Sequence, residues 1–292
     1  MANATPLRYG QDQGAGVTDA LFLKVFGGEV LAAFEEANVV MDKHTVRQIA
    51  SGKSAQFPAT WKITGGYHTA GAEITGNVSN VSERTIVIDD LLLASVFIAL
   101  IDEAKAHFDV RGTYSKEAGN FLAYTWDKNV LQVGVLAARA AATITSVSSG
   151  GTSLTSSGTL YRTSATDLAA GIYAARQALD EKDVTSQANV FVRPSQYYLL
   201  AQSTALINRD WGGMGSYGSG WAGMGCQAGG SGRPAGGCDI VKTMHLPITN
   251  IASGPTAYQG DFSKCAALIM TKEAVGTVKL LDLATEMDYD IR

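Results

Sequence analysis

Ser54-Ala55-Gln56-Phe57-Pro58-Ala59-Thr60-Trp61-Lys62-Ile63 alternates polar and apolar side chains, the period-two pattern of a strand with one apolar face. A second alternating run follows Arg84, with Ile86 and Ile88 on one side and Thr85, Val87 and Asp89 on the other. Gly65, Gly66, Gly71, Gly76, Asn77 and Asn80 lie between the two runs, and these residue types favour turns and irregular loops. Ser51 to Asp89 therefore reads as a long β-hairpin. Two strands alone are marginal in water, so an arm of this length must lie on something. Full burial of Phe57, Trp61 or Tyr67 is worth very roughly 1.5 to 3 kcal/mol each. Two readings stay open: a flap folded back on its own domain, or an arm lying across a second copy of the chain.

Composition narrows the classes. The 292 residues suffice for two ordinary domains or one large domain with appendages. Hydrophobic content of 46% can fill a core, while charged content of only 17% points to a surface that largely meets protein. A formal net charge of −4 without any run of Lys and Arg argues against a surface that grips nucleic acid. Met1 to Gln13 lacks the apolar segment of a secretory signal. The longest apolar run, Leu91 to Ile101, falls far short of the ~20 residues a membrane span needs. Synthesis in a cytoplasm and no membrane partner are expected. Cys226, Cys238 and Cys265 are odd in number and lack paired spacing, so they read as reduced thiols, with His245 too little to complete a zinc site.

Along the chain, a polar leader to Thr18 precedes a helix capped by Asp19. That helix carries Leu21, Phe22, Val25, Val30, Leu31 and Phe34 at helical spacing, with a kink or break expected at Gly27-Gly28. Val39 to Ile49 reads as a strand leading into the arm, and Ile86 to Ile101 as buried sheet or the start of a buried helix. Thr113 to Thr143 lacks Pro, and Ala118, Leu122, Trp126, Val130, Val133 and Ala137 form one stripe, predicting a spine helix of roughly 45 Å. Ser146 to Ser157 is Ser/Thr/Gly-rich. Beyond it, Thr166 is expected to cap a helix to Glu181. A strand at Asn189 to Arg193 and a helix at Ser195 to Ser203 follow, suggesting a layered α/β arrangement. Trp211 to Gly237 is a glycine-dense loop. A strand at Cys238 to Thr243 and a strand pair at Ala266 to Thr271 and Gly276 to Leu283 close the chain.

Catalytic motifs are absent or false. Gly52-Lys53-Ser54 ends like a phosphate-binding loop, but the first glycine of that motif would fall at Arg47, and Pro58 with the alternation after Ser54 excludes the required helix. Gly213 to Gly218 has dinucleotide-binding spacing without a strand before it or a helix after it. His44, His68, His107 and His245 are scattered, and the adjacent pairs Asp89-Asp90 and Asp102-Glu103 point their carboxylates apart. No catalytic residue, cofactor or metal is expected.

Longer stretches carry a specific signal. Leu21-Phe22-Leu23-Lys24-Val25-Phe26-Gly27-Gly28-Glu29-Val30-Leu31, then His44, Val46-Arg47 and Ser51-Gly52-Lys53-Ser54-Ala55-Gln56-Phe57-Pro58, closely resemble the major capsid proteins of T-seven-like short-tailed phages. Phe108-Asp109-Val110-Arg111, Ala274-Val275-Gly276-Thr277-Val278-Lys279-Leu280 and Asp282-Leu283-Ala284 resemble them again. The resemblance implies an α+β fold of the Hong Kong 97 capsid type. It divides the chain into an N-terminal arm (1–50), an extended loop (51–89), a peripheral domain with the spine helix (90–145), an axial domain (146–260) and a return to the peripheral domain (261–292), shortened at the C-terminus.

By the same resemblance, the protein is a structural component of the virion, assembled in the cytoplasm of a bacterial host. Copies form pentamers and hexamers that close an icosahedral head around double-stranded DNA, which is contacted weakly and without sequence preference. Scaffolding and portal proteins are the expected assembly partners, with a decoration protein as a further candidate. The axial loops of such proteins converge at the ring centre, which is where the glycine-dense loop would fall. Lys53 and Arg84 are expected to make ion pairs between subunits, with Phe57 and Trp61 as apolar anchors and Tyr67 as a further contact. An encapsulin-like compartment, a soluble enzyme and a tail or tube protein are the other readings the residues allow.

Overall fold

The computed structural model describes residues 20–60, 65–71, 73–74, 76, 81–88, 91–97, 110–141, 150–202 and 238–285. Its contacts divide the chain into two compact units: Met1–Asn38 with Asp89–Asp127 and Leu281–Arg292, and Val39–Ile88 with Lys128–Leu280.

In the first unit, helix α1 (Ala20–Ala37) packs on the first part of helix α2 (Val110–Arg139). The expected break at Gly27-Gly28 does not occur, and α1 runs through both glycines as one helix. Burial of Val30 and Ala33 further along it offsets the roughly 1 kcal/mol per glycine that helical propensity costs. The two helices approach closely at Gly119. A Cβ there would stand 2.7 Å from Ala33 Cβ and 2.7 Å from the Val30 carbonyl oxygen, so only glycine fits. One turn earlier on α2, the buried Ser115 hydroxyl donates to Glu29 Oε2 at 2.6 Å. Residues 91–97, expected to be buried sheet or helix, form neither, and Leu91, Leu93 and Phe97 are exposed. An apolar run, here interrupted only by Ser95, signals that a segment wants cover without saying which surface supplies it.

The second unit is built on a three-stranded sheet of order β5 (Asp239–Lys242), β4 (Ala188–Val192), β8 (Ala267–Thr271). The central strand β4 runs parallel to β5 and antiparallel to β8. Every residue of β4 is buried because both faces of the sheet are covered, which explains its continuous apolar run. On one face, Val190 and Val192 meet Leu168 and Ile172 of helix α3 (Ala165–Asp180) and Leu200 of helix α4 (Pro194–Ala201). On the other, α2 crosses at Gly134, where a Cβ would stand 2.9 Å from Leu268 Cδ2 and 3.3 Å from Met270 Sδ. The spine helix thus exists, at Val110–Arg139 against the expected Thr113 to Thr143.

Three local expectations are corrected. Ser164, not Thr166, caps α3: its side chain accepts from the Asp167 N–H, because the one-turn helix Leu160–Thr163 leaves Ser164 extended just ahead of it. Only Thr45–Gln48 of the segment Val39 to Ile49 is a strand (β1); a 3-10 turn at Met41–Lys43 precedes it, and the buried His44 donates from Nδ1 to the Val40 carbonyl at 2.8 Å. The last two long strands do not pair with each other. Strand β8 joins β4, and β9 (Gly276–Lys279) lies parallel to β1, with Thr45 opposite Gly276. Parallel partners need no turn between them, so nothing in the sequence near β9 announces β1.

A further small sheet pairs β6 (Asn250–Ile251) with β7 (Gly260–Asp261). Arg139, at the end of α2, donates to the Asp261 carbonyl at 2.6 Å and lies 5.9 Å from the centre of the buried Phe262 ring. Arg162 donates to the carbonyls of Ser263 and Cys265. Two guanidiniums thereby hold the turn between β7 and β8.

Candidate functional site

The hairpin is present. Strand β2 (Ser54–Thr60) pairs antiparallel with β3 (Val81–Val87), Ser54 opposite Val87 and Thr60 opposite Val81. Ala55 stands opposite Ile86 and Phe57 opposite Arg84, so the apolar positions of the two legs share one face. At its base the hairpin closes with the Ile88 N–H donating to the Lys53 carbonyl at 2.9 Å. Gly52 takes a φ of +118°, a conformation glycine adopts without cost, and Ser54 enters a strand where a phosphate-binding loop would require a helix.

The apolar face of the base rests on the chain's own body. Ala55 is buried and Phe57 half-buried, and the Phe57 ring and Ile86 Cδ1 lie against Gly276 of β9, where a Cβ would meet them at 3.4 to 3.5 Å. From β1, Arg47 donates to the Gln56 carbonyl at 2.6 Å and holds its guanidinium 5.8 Å from the Phe57 ring centre. Gln56 Nε2 donates to Glu83 Oε1 at 3.1 Å, tying the two legs across the outer face. Arg47, Gln56, Pro58 and Glu83 line a shallow polar cleft of about 420 Å³.

The far end differs. Every described residue between 65 and 76 is exposed, including the apolar Tyr67 and Ile74. The flap reading therefore describes the base, and among the described residues none covers the described part of the far end.

Of the expected contact residues, Lys53 and Arg84 are exposed and do not sit together: Lys53 is at the hairpin's base and Arg84 lies mid-strand opposite Phe57. Phe57 is committed to the base, Tyr67 is at the exposed end, and Trp61 lies outside the described residues. The glycine-dense loop, Cys226, His107, Lys62 and the carboxylate pairs Asp89-Asp90 and Asp102-Glu103 also lie outside them. Arg47 and Gly276, which fix the base, escaped sequence reasoning because their roles depend on the β1–β9 pairing. Cys238 and Cys265 are buried thiols outside any disulfide, and burial pushes both above their ordinary pKa. Among the described residues, no group of three or more His, Cys, Asp or Glu is placed to hold a metal ion, and no helix is long and apolar enough to cross a membrane.

A family model described as "Gp10A-like: Major capsid protein" matches residues 56–292. The chain belongs to this major capsid protein family. The capsid protein is 33% identical to the major capsid protein of Escherichia phage T7, over 95% of this chain and 87% of that one. It is 44% identical to the major capsid protein of Enterobacteria phage T3 over a shorter stretch, 42% of this chain and 36% of the other. The capsid structure of the cyanophage P-SCSP1u superposes on it with a TM-score of 0.72 at 39% identity, covering 98% of this chain and 90% of that one. The mature capsid of bacteriophage PhiM1 matches at a TM-score of 0.63 and 16% identity, over 96% and 81% of the two chains, which speaks for the fold alone. The capsid protein thus has the expected α+β fold of the Hong Kong 97 type, and it is a structural component of the phage virion.

Proposed function

We propose that copies of this chain form pentamers and hexamers that close an icosahedral head around double-stranded DNA, and that the far end of the hairpin is the strap from each copy to the next. The reading is supported by one observation above the rest: an arm fastened at its base by Arg47, Phe57 and Gly276, with Tyr67 and Ile74 exposed at its far end. A fixed base aims the strap before it meets its partner, which lowers the ordering cost of association. Each contact is modest, and many of them add by multivalency, so a misplaced copy can leave during growth while a finished shell holds. Tyr67 and Trp61 serve as the apolar contacts to a second copy, and Lys53 and Arg84 as the charged ones. Phe57 acts by fixing the base.

The five segments given under Sequence analysis are the domains we assign, with residues 146–260 forming the axial part of each ring. Scaffolding and portal proteins assist assembly in the bacterial cytoplasm. The net charge of −4 suits a wall that confines DNA without gripping it. Deleting residues 65–80 tests the strap. The shortened chain should stay soluble and folded by circular dichroism yet build no closed shells in negative-stain images, and normal particles would refute the reading. Mass analysis of purified wild-type particles tests for DNA.

A further inference from the structure

Strands β4 and β5 are parallel and in register from Asn189 opposite Asp239 to Val192 opposite Lys242, so their leading and trailing ends lie roughly 10 Å apart. The two ends differ in charge. At the leading end, Gln187 Nε2 donates to Asp239 Oδ2 at 2.7 Å, and α3 finishes with the exposed Asp180 and Glu181. Arg176 bridges Asp180 at 2.9 Å and also donates to the Ser186 carbonyl, two residues before β4, which brings the end of α3 to this end of the sheet. Asp180 and Asp239 both act electrostatically on the Cys238 thiol, a second sign that they lie together. Two further cations lie here: Lys182 is engaged by the Gly150 carbonyl and Thr152 Oγ1, and Lys272 follows β8 with Glu273 beside it in the chain, so the carboxylates remain in excess.

The trailing end is cationic and aromatic. Lys242 Nζ stands 5.4 Å from the Tyr197 ring centre, 5.3 Å from that of Tyr198 and 3.4 Å from the Tyr198 hydroxyl. Arg193 follows β4 directly and reaches the Leu246 carbonyl and Met244 Sδ. Tyr198 is 54% exposed and Met244 55%. No Asp or Glu occurs in residues 193–202 or 240–260, and the next carboxylate along the chain, Asp261, accepts from the Ser263 N–H and interacts with Arg139 and Lys264 instead of these two cations.

We propose that these two ends are the halves of a head-to-tail contact between copies of this chain: Lys242 of one copy, held by Tyr197 and Tyr198, receives the Glu181 and Asp180 corner of the next. The contact rests on the assembly reading above and deepens it by assigning a charged pair. A second copy is the occupant because the same unit carries both complementary charges at opposite ends. A contact between unlike surfaces closes rings when the rotation between copies allows it. The rings hold the ammonium in position beforehand, and the charge opposition steers copies into one orientation.

Charge reversal in the full-length chain tests the proposal, read as particle yield on a density gradient with electron microscopy. Lys242→Glu and Glu181→Lys should each lower the yield at least about tenfold, and the double variant should recover to near wild type because every contact regains an opposite pair. Glu181→Lys suits the C-terminal end of α3, and circular dichroism melts of unassembled chain verify that each variant folds. Single variants that assemble like wild type would overturn the contact. So would a double variant as defective as the singles, the pattern expected if the cationic end receives an acidic partner other than a second copy. As a further measurement in a Cys226→Ser chain, Lys242→Cys and Glu181→Cys together should give a ladder of linked copies with a short bis-maleimide that neither substitution alone gives; absence of that ladder would overturn the contact as well. Wild-type chain that forms no particle counts against the assembly reading itself and takes the contact down with it, whereas wild-type particles with indifferent variants refute the contact alone.

Discussion

The same substitution, glycine to alanine, should have opposite effects on two glycines of the α1–α2 pair. Gly28 lies within α1, and a Cβ added there meets nothing within 4 Å. Alanine gains about 0.8 to 1 kcal/mol in helical propensity at such a site, so Gly28→Ala should stabilise the chain by up to that amount. At Gly119 the same gain is available, but the new methyl would stand 2.7 Å from Ala33 Cβ, 2.7 Å from the Val30 carbonyl oxygen and 3.1 Å from the Phe34 nitrogen. Two of those atoms are backbone and cannot swing away, so the helices must separate. Overpacking of this kind costs roughly 1 to 3 kcal/mol, and the rigid neighbours put Gly119→Ala at the upper end. Net of the propensity gain, it should lose about 1 to 2 kcal/mol, leaving the two variants roughly 2 to 3 kcal/mol apart. Urea unfolding of unassembled chain, followed by far-ultraviolet circular dichroism, measures that separation. A Gly119→Ala chain as stable as Gly28→Ala would refute the close packing of these helices.

Other consequences concern the hairpin and the buried thiols. Arg47→Ala removes a charged hydrogen bond and a cation–π contact at the hairpin's base, a loss of about 1 to 2 kcal/mol felt locally, so limited proteolysis should cut residues 61–80 faster than in wild type; unchanged cleavage would count against the clasp. Gly276→Ala should be tolerated, since its methyl meets Phe57 and Ile86 at ordinary contact distance, whereas Gly276→Leu should displace the base and accelerate the same cleavage; equal rates in the two variants would argue against this packing. Burial raises the pKa of Cys238 and Cys265, so both should react with a maleimide at pH 8 at least about tenfold more slowly in folded chain than in urea. The linked stability is fully present below the ordinary thiol range, near 9, and is lost as pH rises from there through the raised folded values; Cys265→Ser should flatten that alkaline loss, and an unchanged profile would sink the assignment.

The hairpin was legible because its signal is local. Alternation at Ser54 to Thr60, and again at Arg84 to Ile88, needs no distant partner to be read, and the observed register brings both apolar sides together. The spine helix was legible for the same reason, through one unbroken stripe from Ala118 to Ala137. Pairing of β9 with β1 was not, because parallel partners far apart in the chain leave no turn between them. The packing of the arm's base was not legible: Phe57 anchors that base within its own chain, and Arg47 and Gly276 become relevant only once β1 and β9 meet.

By itself, then, the sequence determined the hairpin, the spine helix and the buried strand that begins the central sheet, and its contiguous matches identified the capsid family, because periodicity and identity are properties of neighbours along the chain. Tertiary structure alone decided where the arm stops resting on its own body, and that acidic and cationic groups occupy opposite ends of one sheet. Those facts depend on which distant segments fill the same space, and close packing settles that for the molecule as a whole.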